Sequence, residues 1–317
     1  MLQKHEEIIK SKTGNYIVTI AIGKKVFREW SLYSKKTWII YCKKNSLGLI
    51  VITKNLIDKN NIFWKKPTWQ KFLLGSYLRE ALNSKISNVC YLDTDILINP
   101  LAPNVFDFHD SKKISVVSMI NKLPYDLNLI RKKISFYRNK YYSRKYPLDS
   151  SIFMTLDQMY KFHNFKTQKD SVCAGFFIFN VKIFSEIMKK WFFKYKKNIK
   201  NLTGGGDQPV FNYEVFQLKK TKILDYKFQA LWIYEMAIKY PYLYCYKNKK
   251  NLTIKKSIEA TLADNYFLHF AGSWYEGQMW KMKDIATKEF LIENKQFLKY
   301  LKKKSTGKAK GRILPKL

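Results

Sequence analysis

Two carboxylates, Asp93 and Asp95, stand two residues apart where the apolar run 89–92 ends. Side chains at i and i+2 of an extended chain point the same way, so the pair can face one object. Two unpaired carboxylates turned into a core would cost several kcal/mol. A divalent cation is the natural third party, since hard cations such as Mg²⁺ are held by one or two carboxylates plus substrate phosphates. A solvated turn carrying two acids accounts for the same residues, and short acidic motifs recur by chance. Further on, the glycines of Gly204-Gly-Gly-Asp-Gln208 permit a tight turn or a close backbone approach. Asp207 can also simply cap a helix beginning near Pro209. His269 interrupts the apolar run 266–272; such a histidine suits a ligand or a core residue with its hydrogen bonds satisfied.

The elements that must position these groups can be read in order. Residues 16–22 form a first buried strand, ended by Gly23. Residues 27–44 read as a helix, although 38–41 alone would suit a strand. A second strand covers 48–53, and a polar loop covers 54–61. Thr68 is expected to cap a helix whose stripe is Leu74, Tyr77, Leu78, Ala81 and Leu82. The strand 89–92 follows. This β-α-β-α-β order predicts an α/β fold with a mostly parallel central sheet and helices on both faces. Ligands of such sheets bind beyond the carboxyl ends of the strands, where Asp93 and Asp95 fall.

Residues 96–98 form another apolar run, closed by the turn Asn99-Pro100. Residues 114–119 read as a strand. The lysine- and tyrosine-rich stretch 121–170 reads as an excursion from the sheet, either a lid or acceptor surface or a plain lysine-rich surface helix pair. Residues 172–180 form a strongly apolar strand, and Asn180 can cap the next helix. Phe184, Ile187, Met188, Trp191, Phe192 and Tyr195 keep helical spacing there. Past Asp225, short aromatic segments alternate with lysine-rich turns. From Lys299 the chain reads as a basic, frayed end.

Composition narrows the classes. At 317 residues the chain can form one large α/β domain with additions, or two smaller domains. A hydrophobic content of 46% and an aromatic content of 16% disfavour disorder. The formal net charge is +35, yet only six of the 59 basic residues are arginines. Lysine, asparagine, isoleucine and tyrosine share A/T-rich codons, so coding bias explains part of that charge. The rest draws the protein toward phosphates, acidic glycans or anionic membrane surfaces. Lysine is spread along the chain, no helix-turn-helix, zinc or RNP-like motif occurs, and arginine is scarce, all of which speak against a specific nucleic-acid reader. Cys42, Cys90, Cys173 and Cys245 lie far apart with no Cys-x-x-Cys pair, which speaks against a zinc knuckle or redox motif. Cys90 and Cys173 are expected to be buried, reduced thiols. Residues 1–10 lack the apolar core of a signal peptide, and 172–184 is too short to span a bilayer. The expectation is a cytoplasmic protein, at most peripheral to a membrane. The basic cluster within 302–316 would add only weak, salt-screened attraction to an anionic membrane or acidic glycan.

Four motifs stand in one order: Lys71 in Trp-Gln-Lys-Phe, Asp93-Thr94-Asp95, Gly204-Gly-Gly-Asp-Gln208 and His269-Phe-Ala-Gly272. With the strand Cys173 to Asn180 between them, they resemble the GT-A glycosyltransferases, especially the glycogenin and bacterial lipopolysaccharide galactosyltransferase group, over roughly residues 16–280. The resemblance implies a GT-A, Rossmann-like nucleotide-diphospho-sugar transferase fold over 1–285. It makes 121–170 a basic insertion that could serve as an acceptor lid, and 286–317 a C-terminal helix and basic tail. It implies that Asp93, Asp95 and His269 hold Mn²⁺ (or Mg²⁺). Ala21, Ile22, Lys71, Thr94, Ala174, Gly175 and Gly272 would contact the nucleotide-sugar donor. Asp207 and Gln208 would face the donor sugar as catalytic residues.

Two departures from the family pattern matter. Where the family often has Lys-Pro-Trp six residues after the metal histidine, this chain has Tyr275, and Lys281 is the substitute. The first strand lacks an acidic start, because Ala21-Ile22-Gly23 runs into lysines. The implied activity is metal-dependent transfer of a hexose, from UDP-glucose or UDP-galactose, to a glycan or protein acceptor with retention. Two carboxylates and one imidazole form a set suited to Mn²⁺. The competing readings are a basic nucleic-acid-binding protein and a glycosyltransferase-fold binder without catalysis. The presence of Asp93, Asp95, Asp207 and His269 speaks against the latter.

Overall fold

The computed structural model describes residues 3–82, 85–142, 152–195, 206–246, 252–272, 274–286 and 288–304. The chain opens with β1 (His5–Ile9), β2 (Asn15–Ile20), α1 (Lys24–Tyr33), α2 (Lys35–Lys44) and β3 (Gly48–Ile52). A 3-10 segment, Pro67–Leu73, leads into α3 (Leu74–Ala81), β4 (Asn88–Leu92), β5 (Ile96–Ile98) and β6 (Ile114–Val117). Then come α4 (Leu127–Tyr141), α5 (Leu156–Phe162), β7 (Phe176–Asn180), α6 (Val181–Lys194), α7 (Gln208–Gln217) and β8 (Thr221–Leu224). The last part holds β9 (Ala230–Leu231), α8 (Trp232–Lys239), α9 (Leu252–Asp264), β10 (Phe267–His269) and α10 (Lys288–Lys304).

Seven strands form a mixed sheet in the order β1-β3-β2-β4-β7-β6-β8. Five of them run one way, and β1 and β7 run against them. Alternation along β2 explains the layering. Tyr16, Val18 and Ile20 join one core with Phe72, Leu78, Phe184 and Phe211, from the 3-10 segment, α3, α6 and α7. Ile17 faces a second core, with Trp30 of α1 and Trp38, Tyr41 and Cys42 of α2. Helices thus cover both faces, as the β-α-β-α-β pattern requires. A small second sheet, β5-β10-β9, adjoins a third core built from α4, α8 and α9.

Several local expectations change. The helix expected over 27–44 is two helices that meet at Ser34. The stretch 38–41 is helical, and the Trp38 indole donates to the Ile96 carbonyl at 2.8 Å. Thr68 caps nothing: it lies inside the 3-10 turn that Pro67 starts, and the α-helix begins only at Leu74. The strand expected to reach Met119 ends at Val117, and Ser118 makes only an isolated bridge to Val172. The region past Asp225 contains two unforeseen helices, α8 and α9. Trp232, Ile233, Tyr234, Met236 and Ala237 are all buried, so α8 lacks the polar face that marks an amphipathic helix. The basic run from Lys299 continues α10 as far as Lys304; residues 305–317 lie outside the described residues. No helix among the described residues is long and apolar enough to cross a membrane.

Asn180 ends β7 and caps α6, its side chain accepting from the Ile183 amide. Asn180→Ala should lower the unfolding free energy by about 1 kcal/mol, measured as a shift in urea midpoint at unchanged m-value.

Candidate active site

The turn 93–95 sits where β4 leaves the sheet, and three separate elements hold it. The Asp93 amide donates to the Gly175 carbonyl at 2.8 Å, and the Phe270 amide donates to the Asp95 carbonyl at 3.1 Å. The Ser34 hydroxyl donates to the Thr94 carbonyl at 3.0 Å. Because β5 pairs antiparallel with β10, His269 lies opposite Ile96. That register carries the imidazole to the carboxylates: Nε2 is 3.3 Å from Asp95 Oδ1 and 3.9 Å from Asp93 Oδ2. One ligand atom from each of Asp93, Asp95 and His269 falls within 4.8 Å of the others.

The surroundings fit a cation. Two hard carboxylate oxygens and one imidazole nitrogen form a set suited to Mn²⁺, with Mg²⁺ served less well by nitrogen. Gly175 lies against the cluster so closely that a Cβ there would stand 2.4 Å from His269 Cε1 and 2.6 Å from Asp93 Oδ2. The ring is held from its far side, where Gln229 Nε2 lies 3.1 Å and Cys173 Sγ 3.6 Å from Nδ1. Groups on the remote ring nitrogen set tautomer and orientation; Nε2 is left for the cluster when Nδ1 carries the proton, which Cys173 Sγ can accept and the Gln229 amide nitrogen cannot. Burial disfavours charge on His269, but Cys173 and Asp95 outweigh it and raise its pKa well above the ordinary histidine value.

Beside this cluster lies a buried ion pair. Lys71 Nζ stands 2.9 Å from Asp207 Oδ2 and 3.7 Å from Asp93 Oδ1. It donates to the Ala174 carbonyl at 2.8 Å and lies over the Tyr91 ring. Burial works against the ammonium, but Asp207 and then Asp93 outweigh it and raise the Lys71 pKa above its usual value. Asp207 precedes α7, yet its carboxylate makes no capping bond; only its carbonyl accepts from the Phe211 amide. The Tyr91 hydroxyl donates to Asp93 Oδ1 at 2.6 Å.

The expected site residues therefore fall into groups. Lys71, Asp93, Asp95, Ala174, Gly175, Asp207 and His269 come together through these contacts, and Thr94 lies within the turn. Gln208 and Gly272 line a cavity that also reaches Cys173. Ala21 and Ile22 follow β2, the Ala21 amide bonding the Ile52 carbonyl. Lys281 pairs with Glu29 of α1 at 2.9 Å and lies near the Trp280 ring. Sequence pattern does not single out Tyr91, Cys173 or Gln229 as site residues. Tyr91 carried a signal, since it lies two residues before Asp93 and shares its side of the strand. Gln229 carried none, because only the parallel pairing of β9 with β10 brings it to His269.

Two solved structures are similar to the chain. A glycosyltransferase involved in the glycosylation of the major capsid of PBCV-1 is 12% identical, with a TM-score of 0.48 over 84% of this chain and 98% of that one. The galactosyltransferase LgtC, in complex with donor and acceptor sugar analogues, is 13% identical, with a TM-score of 0.45 over 89% of this chain and 95% of that one. No protein-family model and no curated protein sequence matches the chain.

Two substitutions probe the cluster. Cys173→Ala should weaken Mn²⁺ binding by about 10- to 100-fold, read by calorimetry, while the circular dichroism spectrum stays that of wild type. Gly175→Ala should also weaken Mn²⁺ binding, because the new methyl must displace His269 or Asp93.

Proposed function

We propose that the chain is a metal-dependent glycosyltransferase that moves a hexose from a nucleotide-diphosphate sugar, UDP-glucose or UDP-galactose, to a glycan or protein acceptor. One observation carries this reading: an Asp-Asp-His cluster fit for a divalent cation stands beside a buried Lys71–Asp207 pair at a strand end. That combination suits a substrate that is a diphosphate at one end and a sugar at the other. Mn²⁺ is the favoured ion by the chemistry of the donor set. When bound, it would supply positive charge against the negative charge that builds on the departing diphosphate.

The chain's own groups do the rest. Asp93, Asp95 and His269 hold the cation site, and Tyr91 orients Asp93. Lys71 braces Asp207 and Asp93 together, so the sugar-facing and cation-facing carboxylates share one rigid support. Asp207 and Gln208 orient the sugar hydroxyls and stabilise the positive charge that develops at the anomeric carbon as its bond to the diphosphate breaks. Such groups contribute most when aimed at the transition state and not at the bound donor. Transfer with retention is the stereochemical outcome that accompanies this reading. The excursion 121–170, with α4 and α5, serves as the acceptor lid. Gly272, Thr94, Ala174, Ala21 and Ile22 border the donor, and Lys281 lends charge near it. The lysine excess provides a positive surround for a diphosphate and, through the basic tail, weak attraction to an anionic surface. A cytoplasmic location suits such a donor.

A screen of nucleotide sugars with Mn²⁺, read as nucleotide release, tests the proposal. Release should vanish with EDTA and in Asp93→Asn and Asp95→Asn; release indifferent to all three would overturn it. Asp207→Asn should lower kcat by about 100-fold or more and change the donor Kd far less. Wild-type turnover in that variant would reduce Asp207 to a structural partner of Lys71.

A further inference from the structure

A cavity of about 220 Å³ lies between the site and the excursion that carries α4 and α5. Its near end is formed by Cys173, Gln208 and Gly272. Most of its remaining wall is apolar, with Met119, Ile120, Met154, Leu231 and Ile233 prominent. Apart from the Tyr234 hydroxyl, the polar groups on that wall beyond Gln208 make bonds within the protein. Arg131 donates to the Ile152 carbonyl at 2.8 Å and to the Met154 carbonyl at 2.5 Å. Arg138 is held in a buried ion pair by Glu276, its Nε 2.6 Å from Oε1, and lies over the Trp274 ring. The Thr155 hydroxyl accepts from the Gln158 amide, and the Ser171 hydroxyl donates to Met159 Sδ.

We propose that this cavity takes an apolar group on the acceptor, one aromatic ring or a short alkyl chain, next to the hydroxyl that receives the sugar. The inference rests on the transferase reading and names the acceptor's chemical class. A second sugar carries hydroxyls around its ring, and each must exchange water for a partner or pay for burial without one. This wall commits its two arginines to carbonyls and to Glu276, and the one Tyr234 hydroxyl is too few partners for the hydroxyls of a sugar ring. An apolar group meets no such cost, and methionine side chains adapt to its shape. Size agrees as well, because an apolar protein cavity of about 150 Å³ takes a benzene ring. The hydroxyl then lies at the Gln208 end, next to Asp207 and the cation cluster, with the apolar group pointing toward Met154 and Ile120.

The test compares phenyl and methyl β-glucosides and β-galactosides as acceptors, with Mn²⁺ and the best donor from the nucleotide-release screen. Each phenyl–methyl pair offers the same sugar hydroxyls, so only the apolar group differs. Wild type should use the phenyl member with kcat/KM higher by about tenfold or more, carried mainly by KM. Met154→Trp and Ile120→Trp fill the cavity from different segments, and in each the preference should fall toward one. Transfer with a phenyl-to-methyl ratio near one in wild type would overturn this inference alone. So would a preference that persists in both folded variants, or variants that raise the donor KM and leave the acceptor preference intact. Absence of transfer from every nucleotide sugar to every acceptor, by protein that binds Mn²⁺, would instead overturn the transferase reading beneath it.

Discussion

The site depends on one buried ammonium. Lys71 is fully enclosed and touches Asp207, Asp93, the Ala174 carbonyl and the Tyr91 ring. A lone charge in that position would cost far more than a fold of this size can spare. The charge persists because two carboxylates from distant parts of the chain converge on it. Asp207, in turn, would be costly to enclose without the lysine. The arrangement therefore enforces itself, and it joins α7, β4 and the turn before β7 at one point. Those are the elements that carry Asp207, Asp93 and Gly175.

Around that point the backbone sets what the side chains can do. The short pairing of β5 with β10 decides that His269 faces Asp95 and not solvent. A shift of one residue would turn the imidazole to the opposite face of the sheet. Gly175 adds a steric condition, since its missing side chain is the space that His269 and Asp93 occupy. Gln229 and Cys173 then press on the far side of the ring. Little of this geometry is local, which explains why a cluster of three side chains needs two sheets to exist.

The excursion between β6 and β7 is tied to the site region by a second buried pair, Arg138 of α4 with Glu276. It is more than a lysine-rich surface: Ile130 and Ile134 of α4 are buried in the core that also contains α8 and α9. Its cationic outer face and apolar inner face have different consequences. The outer lysines add to long-range attraction for anions, and the inner wall shapes the cavity beside Gln208.

Periodicity and residue type alone determined much of this protein. Short runs of apolar and β-branched residues marked the strands around 16–22, 48–53 and 89–92, and helical spacing marked α3 and α6, because side-chain direction follows local backbone geometry. Asn180 as a cap and Asp93 with Asp95 as a pair were legible for the same reason. His269 and Asp207 were visible as residues, but each kept two meanings until the fold was in hand. Tertiary structure supplies their partners: Asp207 turns to Lys71 and makes no capping bond, and His269 meets carboxylates brought by another strand. The breaks at Ser34 and in the 3-10 turn before Leu74, the buried helix α8, and the contacts of Gln229 and Cys173 with His269 were decided there too. They depend on which distant surface each segment packs against, and a pattern read along one chain carries no record of that.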